Sequence, residues 1–126
     1  MHRILVADDE PEILKLLEEF LAKMGFEAVT ALGGERAIEI LKSEVKIDMA
    51  VLDMKMPQVK GTDVLREMKK INKEIPVIIL TGSIDVKKYI DGLKELGYNE
   101  NDICYKPVDL YVLLSMVKKK LGLEPK

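Results

Sequence analysis

The sequence predicts an α/β fold, a doubly wound five-stranded parallel sheet with five helices distributed over its two faces. Strand-like and helix-like patterns alternate along the 126 residues. Parallel neighbours must be joined by crossovers, which are right-handed and usually helical. Two predicted strands, residues 49–52 and 77–80, are continuous apolar runs. Such runs are typical of strands that helices cover on both sides.

The first half of the chain predicts two strands, each followed by a helix. Residues 2–7 form the first strand, and the next helix has apolar residues at a 3.6-residue period: Ile13, Leu16, Leu17, Phe20, Leu21 and Met24. Gly25 then stands where helices often end in glycine. A strand over residues 27–31 precedes Gly33-Gly34 and a helix through Ala37, Ile38 and Leu41.

The second half continues this alternation with three further strands and three further helices. The third strand runs into the loop of residues 54–61, and the following helix carries Val64, Leu65, Met68 and Ile71. Pro76 opens the fourth strand, and the fourth helix is predicted over residues 84–96. The fifth strand, around residues 103–105, precedes a helix with one apolar face: Leu110, Leu113, Leu114, Val117 and Leu121.

Composition and length exclude several classes of protein. The net charge of −2 argues against a nucleic-acid-binding surface, which needs a basic stripe. No apolar stretch approaches the roughly 20 residues of a membrane span, and no signal peptide precedes the first strand. The single cysteine, Cys104, lies in an apolar strand, so we expect a buried thiol and a cytoplasmic location. With no linker or repeat, residues 1–126 are expected to form one domain.

Polar residues follow the ends of four predicted strands. Asp8 and Asp9 follow the first strand and Asp53 the third, whereas Thr81 follows the fourth and Lys106 the fifth. Ligands of open parallel sheets bind beyond the carboxyl ends of the strands, where these side chains would meet. The sequence therefore predicts a functional site at this edge.

Each of these residues also has an ordinary structural explanation. Asp9, with Pro11 and Glu12 after it, resembles the cap of the first helix. The other residues, taken singly, could be a loop acid, a turn hydroxyl and a surface lysine. Their coincidence at one sheet edge favours a shared function.

The residue types fit the uptake of a phosphoryl group. Two carboxylates about 4 Å apart repel by ~4 kcal/mol at an effective dielectric constant of 20, so a cluster of three calls for a cation. Mg²⁺ suits it, because this ion takes carboxylate ligands and keeps waters that phosphate oxygens can replace. Asp53 could then attack phosphorus, while Lys106 and the Thr81 hydroxyl contact phosphoryl oxygens.

These motifs closely resemble the receiver domain of two-component response regulators. The resemblance spans essentially the whole chain and rests on four motifs: Asp8-Asp9, Asp53-Met54-Lys55-Met56-Pro57 with Gly61, Thr81-Gly82, and Lys106-Pro107. It implies a flavodoxin-like sheet of order 2-1-3-4-5 and a single receiver domain over residues 1–126, without an output domain.

The resemblance also implies roles for the site residues. Asp53 would be the phosphoacceptor, and a histidine kinase or a histidine phosphotransfer protein would supply the phosphoryl group. Asp9, Asp53 and the backbone carbonyl of Lys55 would bind Mg²⁺, with Asp8 assisting through water. The domain would be a signalling switch that assists its own phosphoryl transfer and dephosphorylation, and not an enzyme with a separate substrate.

Further implications concern switching. Thr81 and Lys106 would be the switch residues, and the Lys106-Pro107 peptide bond would be cis. An unknown downstream protein would recognise the face formed by the fourth helix, fifth strand and fifth helix. No nucleic acid or membrane is expected as a partner.

The chain departs from the family pattern in places. Ile103 stands where receivers often carry an aromatic residue three positions before the lysine, although Tyr105 lies next to that lysine. Residues 96–102 form a longer segment than usual. Gly92 lies inside the fourth helix, which indicates either a soft helix or a tight packing contact.

Two other functions remain open at this point. A phosphatase of the haloacid dehalogenase type also forms an aspartyl phosphate, but it needs an Asp-x-Asp arrangement where this chain has Asp8-Asp9-Glu10. A receiver fold could also serve as a phosphorylation-independent binding module, although such modules usually lose an acid, the threonine or the lysine.

Overall fold

Five strands and five α-helices alternate along residues 1–123. The structure, a computed structural model, describes residues 1–123, so residues 124–126 of the predicted domain lie outside it. The elements are β1 (Arg3–Asp8), α1 (Pro11–Lys23), β2 (Glu27–Leu32), α2 (Gly34–Lys42), β3 (Met49–Asp53), α3 (Gly61–Lys70), β4 (Val77–Gly82), α4 (Val86–Glu95), β5 (Ile103–Lys106) and α5 (Leu110–Lys120). A short 3₁₀ helix, Glu100–Asp102, precedes β5. Across residues 1–123, no helix combines the length and the apolar character needed to cross a bilayer.

All strands are parallel, and their order is β2-β1-β3-β4-β5. The predicted fold class and strand order are therefore confirmed. The order reverses between β1 and β3, so these two neighbouring strands flank the switch point where ligands bind in such sheets. Ala7 pairs with Leu52 in the register, which brings the residues that follow them, Asp8 and Asp53, to the same edge.

Helices cover the sheet with two apolar layers. On one face, side chains of α1 and α5 pack against the strands, as Leu17, Leu21, Leu113 and Val117 show. On the other face, α2, α3 and α4 contribute buried residues such as Ala37, Leu41, Val64, Leu65 and Leu93. Each such leucine or valine stabilises the fold by roughly 1.5–3 kcal/mol on full burial. This two-sided coverage explains why the central strands carry almost no polar residues before their last positions.

Two helix starts differ from the predicted ones. Helix α1 begins at Pro11, so its N-cap is Glu10, without a side-chain cap hydrogen bond. The interpretation of Asp9 as the cap is therefore wrong, because a proline favours the first helical position. Helix α4 begins at Val86 and not at residue 84, because residues 83–85 form a turn in which the Asp85 N–H donates to the Gly82 carbonyl at 3.1 Å.

The segment before β5 folds into a compact turn. The Asn99 side chain accepts a hydrogen bond from the Asn101 backbone N–H, and Asp102 Oδ2 accepts one from the Asn99 N–H. The other oxygen of Asp102 pairs with the Lys120 ammonium at the end of α5. This ion pair joins the C-terminal helix to the turn.

Two glycines differ sharply in their surroundings. A Cβ added at Gly34 would lie 2.3 Å from the carbonyl oxygen of Val59, because the start of α2 packs on the loop between β3 and α3. A Cβ at Gly92 would meet only the Arg66 Nη2, at 3.8 Å, an ordinary contact distance. The interpretation of Gly92 as a tight packing contact is therefore wrong.

This contrast gives a test of the packing. We expect Gly34→Ala to lower the free energy of unfolding by about 1–3 kcal/mol, because a backbone carbonyl cannot yield to the methyl group cheaply. Gly92→Ala is the control and should raise the same free energy by up to ~1 kcal/mol, since alanine is the better helix former. Urea unfolding measures both, and equal changes in the two variants would contradict the packing described.

Candidate functional site

The strand ends bring most of the predicted side chains into one open cavity of about 410 Å³. Its lining residues are Asp9, Glu10, Asp53, Lys55, Thr81, Gly82, Asp85 and Lys106. Asp8 is fully buried beside it and contacts Lys106. The residues predicted from four strands therefore do meet at one edge of the sheet.

Local backbone structure orients the two buried aspartates. Asp8 Oδ1 accepts a hydrogen bond from the Glu10 backbone N–H at 3.0 Å. Asp53 Oδ1 lies 3.4 Å from the Lys55 backbone N–H, which donates to it. Each carboxylate thus contacts the loop that follows its own strand, and this holds both groups at the sheet edge.

Lys106 joins these carboxylates. Its Nζ lies 3.3 Å from Asp8 Oδ2 and 3.3 Å from Asp53 Oδ1. Because Asp8 has no solvent exposure and Asp53 has 3%, water screens these contacts little. The lysine reaches them from the last position of β5, directly before a cis peptide bond to Pro107.

Burial and mutual repulsion raise the pKa values of the two buried aspartates. Burial, followed by the charge of Asp8, raises the pKa of Asp53 to about 6, although Lys106 and the Lys55 N–H act in the opposite direction. Burial also raises the pKa of Asp8. For Lys106, burial alone would lower the pKa, but the charges of Asp53 and Asp8 outweigh it and raise the value. The single ammonium of Lys106 therefore does not neutralise the two carboxylates.

The donor set suits a hard divalent cation. Asp8, Asp9 and Glu10 offer carboxylate oxygens that lie within 4.8 Å of one another. Asp53 is outside that group but lines the same cavity as Asp9. Oxygen ligands and excess negative charge are what Mg²⁺ prefers. Lys55 also lines the cavity, whereas the predicted role of its backbone carbonyl stays a prediction.

The loop after Asp53 is held by a close backbone approach. The Gly61 N–H donates to the Met54 carbonyl at 3.2 Å, and a Cβ at Gly61 would lie 2.6 Å from the Asp53 carbonyl oxygen. Gln58 has a φ of 64°, and the Val59 N–H donates to the Pro57 carbonyl around it at 2.7 Å. This arrangement is a γ-turn of the strained kind, next to the candidate site.

The remaining predicted site residue is Thr81 on β4, and its neighbour in the sheet lies on β5. Thr81 is 2% exposed, and its hydroxyl lies 3.4 Å from the Gly82 carbonyl, a weak contact that leaves the hydroxyl able to bind elsewhere. Its register partner on β5 is Tyr105, which is exposed, whereas Ile103 is buried in the core. The aromatic residue nearest to Thr81 in the register is therefore Tyr105.

Sequence reasoning missed two acids that line the cavity. Glu10 directly follows the Asp8-Asp9 pair, so a third acid in that run was the available signal. Asp85 follows Thr81 by four residues, and its Oδ2 would lie 3.5 Å from a Cβ added at Gly82. Nothing in the local pattern distinguishes Asp85 from an ordinary helix-start acid.

The raised pKa of Asp53 gives a pH-dependent prediction. Between about pH 4 and pH 6 the folded state binds more protons at Asp53 than the unfolded state, so the contribution of Asp53 to stability should fall as pH rises through this interval. We expect Asp53→Asn to increase the free energy of unfolding at pH 8 by about 1–3 kcal/mol in EDTA, and to show little gain near pH 4. Urea unfolding at the two pH values measures this.

Asp63→Asn, which removes an exposed carboxylate, is the matched control and should show no such gain. An Asp53→Asn protein that is less stable than the wild type at pH 8 would contradict the electrostatics described.

Comparisons with known proteins point to one family. The family model described as response regulator receiver domain matches residues 4–118. Sporulation initiation phosphotransferase F of Bacillus subtilis (strain 168) is 37% identical over 124 residues, covering 97% of this chain and 95% of that protein. The probable transcriptional regulator ycf27 of Cyanophora paradoxa is 43% identical over 105 residues, covering 83% of this chain. The chain matches only 42% of that regulator's length.

Solved structures agree with this result. A response regulator receiver domain protein from Clostridium thermocellum is 35% identical with a TM-score of 0.85, covering 97% of this chain and 95% of that one. A receiver protein from Pseudomonas putida is 30% identical with a TM-score of 0.83, covering 94% and 96% of the two chains. By sequence and by architecture, the chain belongs to the response regulator receiver domain family.

Proposed function

We propose that Asp53 accepts a phosphoryl group from a phosphorylated histidine on a kinase or a phosphotransfer protein, and that this event switches the binding of a partner. One observation carries the proposal. The carboxylate of Asp53 opens into the same cavity as Thr81 and lies 3.3 Å from the ammonium of Lys106. A nucleophile, a hydroxyl and a cation thus surround one space.

The proposed reaction is a phosphoryl transfer between two side chains. A carboxylate oxygen of Asp53 forms a bond to phosphorus while the bond from phosphorus to the donor imidazole nitrogen breaks. The leaving imidazole keeps the electron pair of that bond. Lys106 stabilises the negative charge on a phosphoryl oxygen, and the Thr81 hydroxyl donates to another. Most of the rate enhancement then comes from positioning and charge stabilisation.

Mg²⁺ is the proposed cofactor. Asp9, Asp53 and the backbone carbonyl of Lys55 would hold it, with Asp8 assisting, and the proximity of the Asp8, Asp9 and Glu10 carboxylates supports a cation at this place. When bound, the ion supplies positive charge that offsets repulsion between an anionic attacking group and an anionic donor.

Switching follows from a change of partners at Lys106. Its ammonium contacts Asp8 and Asp53 before phosphorylation. A phosphoryl group on Asp53 adds oxygens that compete for the same ammonium and for the Thr81 hydroxyl. We propose that this rearrangement alters the face of α4, β5 and α5, which a downstream protein recognises.

The same site would limit the lifetime of the signal. We propose that the domain assists hydrolysis of its own aspartyl phosphate, because the cavity that admits the donor is open and also admits water. Since the chain spans about two-fifths of the regulators it matches first, the activity and partners of a whole protein carrying it are also proposals.

Phosphorylation by a small donor tests the proposal. Incubation with acetyl phosphate and Mg²⁺ should add one phosphate to the intact mass, because Asp53 needs no partner protein to attack an activated phosphoryl group. EDTA should prevent the mass gain, and Asp53→Asn should abolish it. Mass spectrometry of the intact protein measures each result.

Asp63→Asn is the control, since it also removes one carboxylate but lies outside this cavity, and it should be phosphorylated normally. Sustained release of phosphate from phosphomonoesters would instead indicate a phosphatase. The absence of any mass gain in the presence of Mg²⁺ would indicate a binding module that does not use phosphorylation.

A further inference from the structure

A second open cavity, of about 370 Å³, lies between α3 and α4, away from the site of Asp53. Its lining residues are Lys60, Thr62, Asp63, Arg66, Lys88, Tyr89 and Gly92. We call it the α3–α4 groove. The proposed phosphoryl transfer uses none of these residues, so the groove needs an explanation of its own.

Gly92 leaves this groove open. Glycine inside a helix costs up to ~1 kcal/mol relative to alanine, yet Gly92 is not among the residues with positive φ. Its position is also not closely packed, because an added Cβ would touch only the end of the flexible Arg66 side chain. A longer side chain at this position would instead project toward the guanidinium and fill the groove.

The groove carries an excess of positive charge. Among the residues that the structure describes, three that line it are cations, namely Lys60, Arg66 and Lys88, whereas Asp63 is the one anion. The chain as a whole has a net charge of −2, so the charge of the groove lining is opposite in sign to that of the whole chain. Asp85, which lines the cavity of Asp53, lies 3.8 Å from Lys88 Nζ and offsets part of this positive charge.

The cations retain capacity for a further acid. Asp63 is already engaged, since it accepts hydrogen bonds from Arg66 Nη1 at 3.3 Å and from the Lys60 backbone N–H at 2.9 Å. A guanidinium has five N–H donors, so one contact with Asp63 leaves Arg66 able to bind a second carboxylate. The Arg66 and Lys88 side chains are 53% and 68% exposed and can both reach an incoming ligand.

We propose that the α3–α4 groove binds an acidic peptide segment of a partner protein. The charge complementarity selects carboxylates, and the half-buried Tyr89 offers an aromatic surface for the aliphatic part of an Asp or Glu side chain. Nucleic acid fits less well, because its recognition needs a basic surface much broader than one groove.

Peptide binding to the full chain tests the proposal. The probe is a fluorescein-labelled hexaglutamate, with labelled hexaserine as the reference, and fluorescence anisotropy at low salt measures the dissociation constants. Wild type should bind hexaglutamate about ten-fold more tightly than hexaserine, as a few exposed ion pairs allow. The double variant Arg66→Glu/Lys88→Glu should lose this preference.

A second pair of variants tests the groove without changing charge. Gly92→Met should weaken hexaglutamate binding by about five-fold, because the side chain fills the groove, whereas Gly92→Ala should stay within about two-fold of wild type. Both substitutions favour the helix, so neither should impair folding. Urea unfolding of each variant checks this.

The matched charge control is Arg36→Glu/Lys118→Glu, which makes the same chemical changes on α2 and α5, outside the groove. It should retain the preference for hexaglutamate. Equal loss in both double variants, or unchanged binding by Gly92→Met, would overturn the proposal. Equal displacement of the probe by a DNA duplex at matched charge would also overturn it, since that result indicates a general polyanion surface.

Discussion

The contact of one ammonium group with two buried carboxylates is the interaction on which the functional site depends most. Asp8 and Asp53 end neighbouring strands with almost no solvent exposure, and Lys106 Nζ lies 3.3 Å from an oxygen of each. A buried charge without a partner costs several kcal/mol. Removal of the lysine would leave two such acids, which also repel each other. Yet the pKa of Asp53 stays raised, at about 6, because one cation does not balance both groups. This residual imbalance suits a site that takes up a metal ion and an activated phosphoryl group.

The backbone around the site is held in place by apolar anchors. The loop after Asp53 contains a strained turn at Gln58, whose positive φ costs about 1–2 kcal/mol for a residue with a side chain. Met54 and Met56, one fully buried and one 3% exposed, fix the loop on the side nearest to Asp53. The close approach of Gly61 to the Asp53 carbonyl closes the loop. Burial of the two methionines offsets the cost of the turn, so the acceptor is supported by packing.

Much of this structure could be predicted from the sequence, and the remainder could not for identifiable reasons. Continuous apolar runs defined the central strands because both faces of the sheet are covered. The site residues were predictable because carboxyl ends of parallel strands converge, whatever the loops do. The start of α4 was not, since Asp85 makes no capping hydrogen bond. The position of Asp85 over Gly82 and the opening beside Gly92 depend on how separate elements pack together. Local sequence patterns do not contain that information.

The ion pair between Asp102 and Lys120 has a consequence for how short the chain can be made. It connects the turn before β5 to the last residue of α5, and both side chains are largely withdrawn from solvent. A chain cut before Lys120 would leave Asp102 without its cationic partner, directly ahead of the strand that carries Lys106. Residues at the far end of the sequence therefore help to secure an edge strand of the sheet, and a fusion joined to this domain should begin beyond them.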